Sequence, residues 1–169
     1  MSFTTTDEMN ISALVILTLV LCVLALASCF VRRVSASLIA YGAMVCAHCA
    51  HAAAIGTYEL VFWGIATAII LGLRWLRDGD HWRRAALAYT AGGAAVGAFL
   101  GAVVAPTQSA IIAGSALGSF LGALAYMRTP SSPHVPVGSR VFVEYLAAKS
   151  LPAIIACSMV AITTVAVVR

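Results

Sequence analysis

Charged side chains are scarce in this chain. Asp, Glu, Lys and Arg make up 9% of its 169 residues, against a hydrophobic fraction of 62% and a mean hydropathy of +1.01. A soluble domain of similar length covers its surface with about a quarter charged residues. That composition excludes a soluble domain, and the chain reads as an integral membrane protein of the all-α class. No polar insert between its apolar segments is long enough to bury a core of its own, so residues 1–169 read as one transmembrane domain.

Other absences narrow the reading. Ten basic residues against six acidic give a net charge of +4, but the basic residues fall in short clusters between apolar segments. That is the pattern of membrane topology and does not point to nucleic acid. No basic n-region precedes the first apolar stretch, which also outruns a signal peptide's apolar core, so it is expected to be a retained helix. The cysteines number five (Cys22, Cys29, Cys46, Cys49, Cys157), all inside apolar segments. An odd count there argues against a disulfide framework and for small buried hydrophobes.

Apolar segments of about 20 residues can cross a bilayer as helices, and six can be drawn: 11–31, 35–55, 58–76, 85–104, 109–127 and the later part of 141–168. The loop RTPSSPHVPVGSR carries Pro130, Pro133 and Pro136, which forbid helix there. A short amphipathic lead-in with Glu144 and Lys149 is expected before the last span, and Pro152 falls near that span's start, where its missing N–H costs least. Arg32 and Arg33, then Arg74, Arg77, Arg83 and Arg84, then Arg128 and Arg140 follow the first, third and fifth segments. The alternate loops carry no basic residue. The positive-inside rule then puts both termini outside, with Arg169 a tolerated exception and Trp75 and Trp82 at the inner interface. The basic side is the cytoplasm, or the matrix or stromal side in an organelle.

The most distinctive stretch spans residues 92–122, where Gly93, Gly97 and Gly101, and again Gly114, Gly118 and Gly122, recur at every fourth position. The segments GAAVGAFLGA and GSALGSFLGA agree at seven of ten positions. Glycine at that spacing leaves a flat helix face on which another backbone can lie. The short polar turn APTQ predicts an antiparallel hairpin with Gly101 level with Gly114, Gly97 with Gly118 and Gly93 with Gly122, its backbones closer than the usual 8–10 Å. These six are the expected helix-packing residues. The hairpin contains no carboxylate, so it is not a proton-carrying rotor element. GGAAVG has neither the lysine nor the strand context of a phosphate loop.

Chemistry is suggested only by VCAHCAH in the second segment. At about 100° per residue, Cys46 and Cys49 lie on one side of a helix and His48 and His51 nearly opposite. A tetrahedral zinc site on this one helix is therefore excluded. Ser37, Tyr41, Met44, His48 and His51 share one sector and form a polar stripe. Such residues inside a membrane face the bundle interior or a water-filled cavity. Interhelical hydrogen bonding ranks first for them, a proton or substrate path along Tyr41, His48 and His51 second, and haem or metal ligation third. No other segment carries a histidine, so no cofactor is expected, haem being the alternative. Cys46 and Cys49 are a candidate redox thiol pair, ranked below inert buried cysteines. Glu59, at the outer boundary, is expected to be solvated.

The order of these features resembles the small bacterial membrane proteins of the domain of unknown function 456 family, with its glycine-zipper hairpin. GAAVGAFLGAVVAP, GSALGSFLGALAYM and EYLAAKSLPAIIACSMVAI carry the resemblance over most of the chain. SCFVRRVSASL stands where the family has a proline-rich turn, and Tyr126-Met127 where it has an acidic residue. The resemblance implies a helical membrane fold and no particular activity.

Three functions are carried forward in order. The first is a structural or accessory subunit, or scaffold, of a larger membrane complex, associated with other subunits or itself. The second is a small transporter or channel with a path along the second helix. The third is an intramembrane haem, metal or thiol redox protein. The chain is not expected to be an enzyme.

Overall fold

Alanine and leucine dominate the apolar segments, and both favour helix. Pro106 and Pro152 stand where helices begin or end. The computed structural model describes residues 4–29, 35–50, 55–76, 84–129, 139–146 and 150–168, and every regular element among them is a helix. In chain order these are α1 (Thr4–Ser28), α2 (Ala36–Cys49), α3 (Thr57–Leu76), α4 (Arg84–Val104), α5 (Gln108–Met127), α6 (Arg140–Tyr145) and α7 (Leu151–Val168).

Several boundaries have visible causes. α1 begins within the polar N-terminal residues and closes where the Cys29 N–H donates to the Ala25 and Leu26 carbonyls. α2 stops at Cys49, short of the expected position 55, and Ile55 and Gly56 are not helical. Between α4 and α5 the Thr107 N–H reaches back to the Ala105 carbonyl at 2.7 Å around Pro106. Thr107 then caps α5, its hydroxyl accepting from the Ala110 N–H. Ser139 caps α6 in the same way through the Phe142 N–H. Arg140 and Glu144 pair at 3.4 Å on the exposed side of α6.

Two helices are long and apolar enough to cross a bilayer among the described residues, Ala86–Val104 and Gln108–Met127. The apolar helices Ser12–Ser28, Ala36–Cys49, Thr57–Gly72 and Leu151–Val167 are shorter than that, at 17 residues or fewer. Six spans of about 20 residues therefore exceed what these helix lengths provide.

α7 is the hub. It packs against α1, α2, α3, α4 and α5, while α3 packs chiefly against α2 and α7. The interior that results is rich in small and polar residues, Ala40, Ala43, Ala47, Ala94 and Ala156 with Thr18, Thr90, Ser115, Ser158 and Thr163, among a smaller set of large ones such as Met44, Trp63, Ile111 and Met159. Large apolar side chains point outward instead, including Leu17 and Val23 on α1, Phe62 and Ile65 on α3, Phe99 and Val103 on α4, and Leu117 and Leu121 on α5. A second small cluster, Ala86, Ala123, Tyr126 and Phe142, docks α6 on one end of the α4–α5 hairpin.

Candidate functional site

Two places gather the residues singled out in the sequence. The first is the face between α4 and α5. Built onto the backbone, a Cβ at Gly97 would stand 2.1 Å from the Gly114 carbonyl oxygen and 3.0 Å from the Gly118 Cα. A Cβ at Gly93 would meet the Gly118 oxygen at 2.2 Å and the Gly122 Cα at 3.2 Å, and one at Gly101 the Ala110 oxygen at 2.4 Å. From the other side, Gly114 faces Gly97 and Gly101, Gly118 faces Gly93 and Gly97, and Gly122 faces Tyr89 and Thr90. Each glycine thus lies beside one Cα and one carbonyl of the facing helix, a turn apart at Gly93, Gly97, Gly114 and Gly118 and on adjacent residues at Gly101 and Gly122. Backbone meets backbone along the whole hairpin, and no side chain of this face is left over for chemistry.

Beside each of two α5 glycines the sequence places a serine, at Ser115 and Ser119. About 100° around the helix from the glycines, both are buried. The Ser115 hydroxyl lies 2.8 Å from the Ser158 hydroxyl of α7, tying the hairpin to the hub. The paired G-S dipeptides of GSALGSFLGA were the available signal for this contact.

The second place is the seam between α2 and α3. Met44 is fully buried and Ser37 nearly so, the latter within 3.0 Å of the Ser35 hydroxyl. Tyr41, half-buried, rests on α3, where a Cβ at Gly64 would stand 3.0 Å from its hydroxyl oxygen. His48 Nδ1 lies 2.9 Å from the Ile55 carbonyl. A carbonyl only accepts, so Nδ1 is the donor of this bond. That bond joins the end of α2 to the start of α3. His51 lies outside the described residues, as do His81 and His134.

On the α3 side, Trp63 and Thr67 occupy one face, four residues apart, and each is 3% exposed. Neither the Trp63 indole N–H nor the Thr67 hydroxyl has a hydrogen-bond partner among the described residues. Thr67 differs here from Thr18, Thr90, Thr163 and Thr164, whose hydroxyls all donate to the carbonyl four residues earlier. Nothing in the sequence marks Thr67 as different. At the start of α3, Glu59 is half-buried and accepts from Gln108 Nε2 at 2.5 Å. The expectation of a solvated Glu59 is corrected by that bond, which ties α3 to the start of α5.

The candidate thiol pair is divided by environment: Cys46 is half-buried, Cys49 exposed, and both are free thiols. No group of three His, Cys, Asp or Glu side chains among the described residues is placed to hold a metal ion. No protein-family model, curated protein or solved structure matches this chain.

Proposed function

We propose that this chain is a small polytopic integral membrane protein that serves as a structural or accessory subunit, or scaffold, of a larger membrane complex. One observation carries the membrane part: large apolar side chains such as Val23, Phe62, Phe99 and Leu117 stand exposed on four helices, while alanine, serine and threonine make up much of the buried interior. In water, large apolar side chains exposed along several helices at once have no solvent to favour them. In lipid the arrangement is the expected one, since helix association there relies on small residues and on hydrogen bonds such as Ser115 to Ser158.

The glycine zipper of Gly93, Gly97 and Gly101 with Gly114, Gly118 and Gly122 supports the scaffold part. Glycines consumed inside the hairpin make α4 and α5 one rigid slab, whose outer face, with Phe99, Val103, Leu117 and Leu121, is free to meet lipid or another subunit. In this reading the slab supplies two full spans of the bilayer, and both termini lie outside. The resemblance to the domain of unknown function 456 family belongs with this reading and adds no chemistry to it. Native purification in mild detergent tests it: a stoichiometric partner or a defined homo-oligomer is expected. Recovery only as a free monomer counts against it.

A second reading, a small transporter or channel, is favoured by the α2–α3 seam, where Tyr41 rests against Gly64 and α3 buries two donors without acceptors among the described residues, Trp63 and Thr67. Solute flux through proteoliposomes that is unchanged when His48 and His51 are replaced by alanine removes that path. The redox and haem reading has no such observation behind it and stays last.

A further inference from the structure

The two ends of the α4–α5 hairpin differ in charge. At the turn, residues 104–109 include no charged side chain, and the ionisable group tied to them is Glu59, through Gln108. At the open end, α4 begins at Arg84 and α5 is capped by Arg128. Gly122 faces Tyr89 and Thr90 across the hairpin. Arg84 lies five residues before Tyr89 and Arg128 six after Gly122, so at about 1.5 Å per residue the two stand level to within about 2 Å. α6 brings a third arginine to this end. Its Phe142 is buried against Ala86, Ala123 and Tyr126, the ring 6.1 Å from that of Phe120, which places Arg140 beside the hairpin's open end. The same level is a bilayer boundary: the span-length stretches are Ala86–Val104 and Gln108–Met127, so Arg84 and Arg128 stand just beyond them. That is the depth of phospholipid headgroups.

We propose that Arg84, Arg128 and Arg140 form a docking surface for the phosphate headgroup of an anionic phospholipid. A guanidinium presents paired N–H donors that match a phosphate in a fixed geometry, which an ammonium does not. Arg128 is exposed and pairs with no carboxylate among the described residues. Arg140 is 93% exposed and meets Glu144 through Nε at 3.4 Å, which leaves its terminal N–H groups for a second anion. One carboxylate against three guanidiniums leaves the surface positive. Basic residues beside a span attract anionic headgroups by charge alone. Three of them from separate elements, brought to one level by the glycine register and by Phe142, give that attraction a fixed place. Apolar surface favours a lipid over a free phosphate: Tyr89, Leu121 and Val143 stand exposed within about two turns of the arginines, where acyl chains would lie. The inference rests on the membrane part of the proposed function and not on the scaffold part.

The test reconstitutes the whole chain in phosphatidylcholine vesicles and compares spin-labelled phosphatidylglycerol with spin-labelled phosphatidylcholine in the immobilised lipid shell. Wild-type protein is expected to prefer phosphatidylglycerol by roughly threefold or more, with the preference falling as salt is raised. Arg128→Gln and Arg140→Gln, at exposed side chains and so safe for folding, are each expected to lower it. Combined with Arg84→Gln they are expected to remove most of it, with helix content by circular dichroism unchanged; the double variant at the two exposed positions serves if Arg84→Gln disturbs the fold. Glu144→Gln removes the competing carboxylate and is expected to raise the preference. Millimolar inorganic phosphate is expected to leave it in place, and full displacement by phosphate would overturn the lipid assignment in favour of a free-anion site. Failure of the chain to float with the vesicles overturns the membrane reading and this proposal together. Flotation with equal shell occupancy by the two lipids overturns this proposal alone. So does a preference that the combined variant keeps in full, because other basic segments would then carry it.

Discussion

The α4–α5 hairpin and α3 bury apolar helices with almost no charge to help, and they do so in opposite ways. In the hairpin, six glycines let carbonyls and Cα atoms of one helix enter the surface of the other. On α3 the contacts are made by side chains: Tyr41 reaches across to Gly64, while Trp63 and Thr67 are covered without finding partners. The hairpin has no slack and no unused polar group on its glycine face. α3 keeps two. Backbone contact defines the first region and side-chain contact the second.

The comparison breaks most visibly at Gly97. A methyl group there would sit 2.1 Å from a backbone oxygen, and backbone cannot rotate away as a side chain can. Gly97→Ala is expected to cost about 3 kcal/mol or more, because the helices must separate along their length. The measurement is thermal or denaturant unfolding in detergent. Gly92→Ala is the matched control on the same helix, since a Cβ at Gly92 meets nothing within 4 Å. It is expected to stabilise by about 0.5–1 kcal/mol through helix propensity alone. Gly72→Ala on α3, also with nothing within 4 Å, is expected to behave the same way. Equal effects at Gly97 and Gly92 would sink the close-packed account of the hairpin.

Hydroxyl deletions come next in size. Ser115→Ala removes the bond to Ser158 and leaves that hydroxyl buried, for an expected loss of about 1 kcal/mol. Thr67→Val keeps the shape and removes a hydroxyl that has no partner, so a gain of about 1 kcal/mol is expected. The two variants should shift the unfolding midpoint in opposite directions. If Thr67→Val destabilises as Ser115→Ala does, Thr67 has a partner in solution, and the contrast between the regions narrows.

These regions also differ in how far they could be read from sequence. Helix, a short turn and a row of small residues at every fourth position are local signals, and they sit together within residues 92–122. The carbonyl each glycine meets depends on the stagger set at Pro106 and Thr107, which spacing alone leaves open by a turn. The α2–α3 seam was half legible. A polar stripe on α2 could be drawn from Ser37, Tyr41 and His48, but its counterpart on α3 reads as ordinary apolar helix, because one tryptophan and one threonine carry it. Helix length was overdrawn for a physical reason: hydropathy runs on through 50–55, whereas α2 ends at Cys49 and the His48 ring takes the Ile55 carbonyl. Contacts of α7 with α1 and α5, including that of Ser158 with Ser115, join residues far apart in the chain and leave no periodic trace.

The smallest effect tests the seam itself. A Cβ at Gly64 would lie 3.0 Å from the Tyr41 hydroxyl oxygen and 3.3 Å from the ring carbon that bears it. That is tight, but the obstacle is the tip of a side chain, which can shift by a few tenths of an ångström. Gly64→Ala should therefore gain helix propensity and lose packing in nearly equal measure, for a net change within about 0.5 kcal/mol. Tyr41→Phe removes the nearest atom, so Gly64→Ala in that background should become stabilising by about 0.5–1 kcal/mol, as at an open position. The difference between the two backgrounds measures the Tyr41–Gly64 contact directly. A value of zero would mean that Tyr41 does not rest on α3 in the membrane-mimetic solvent, and the seam would then lack the residue that defines its middle.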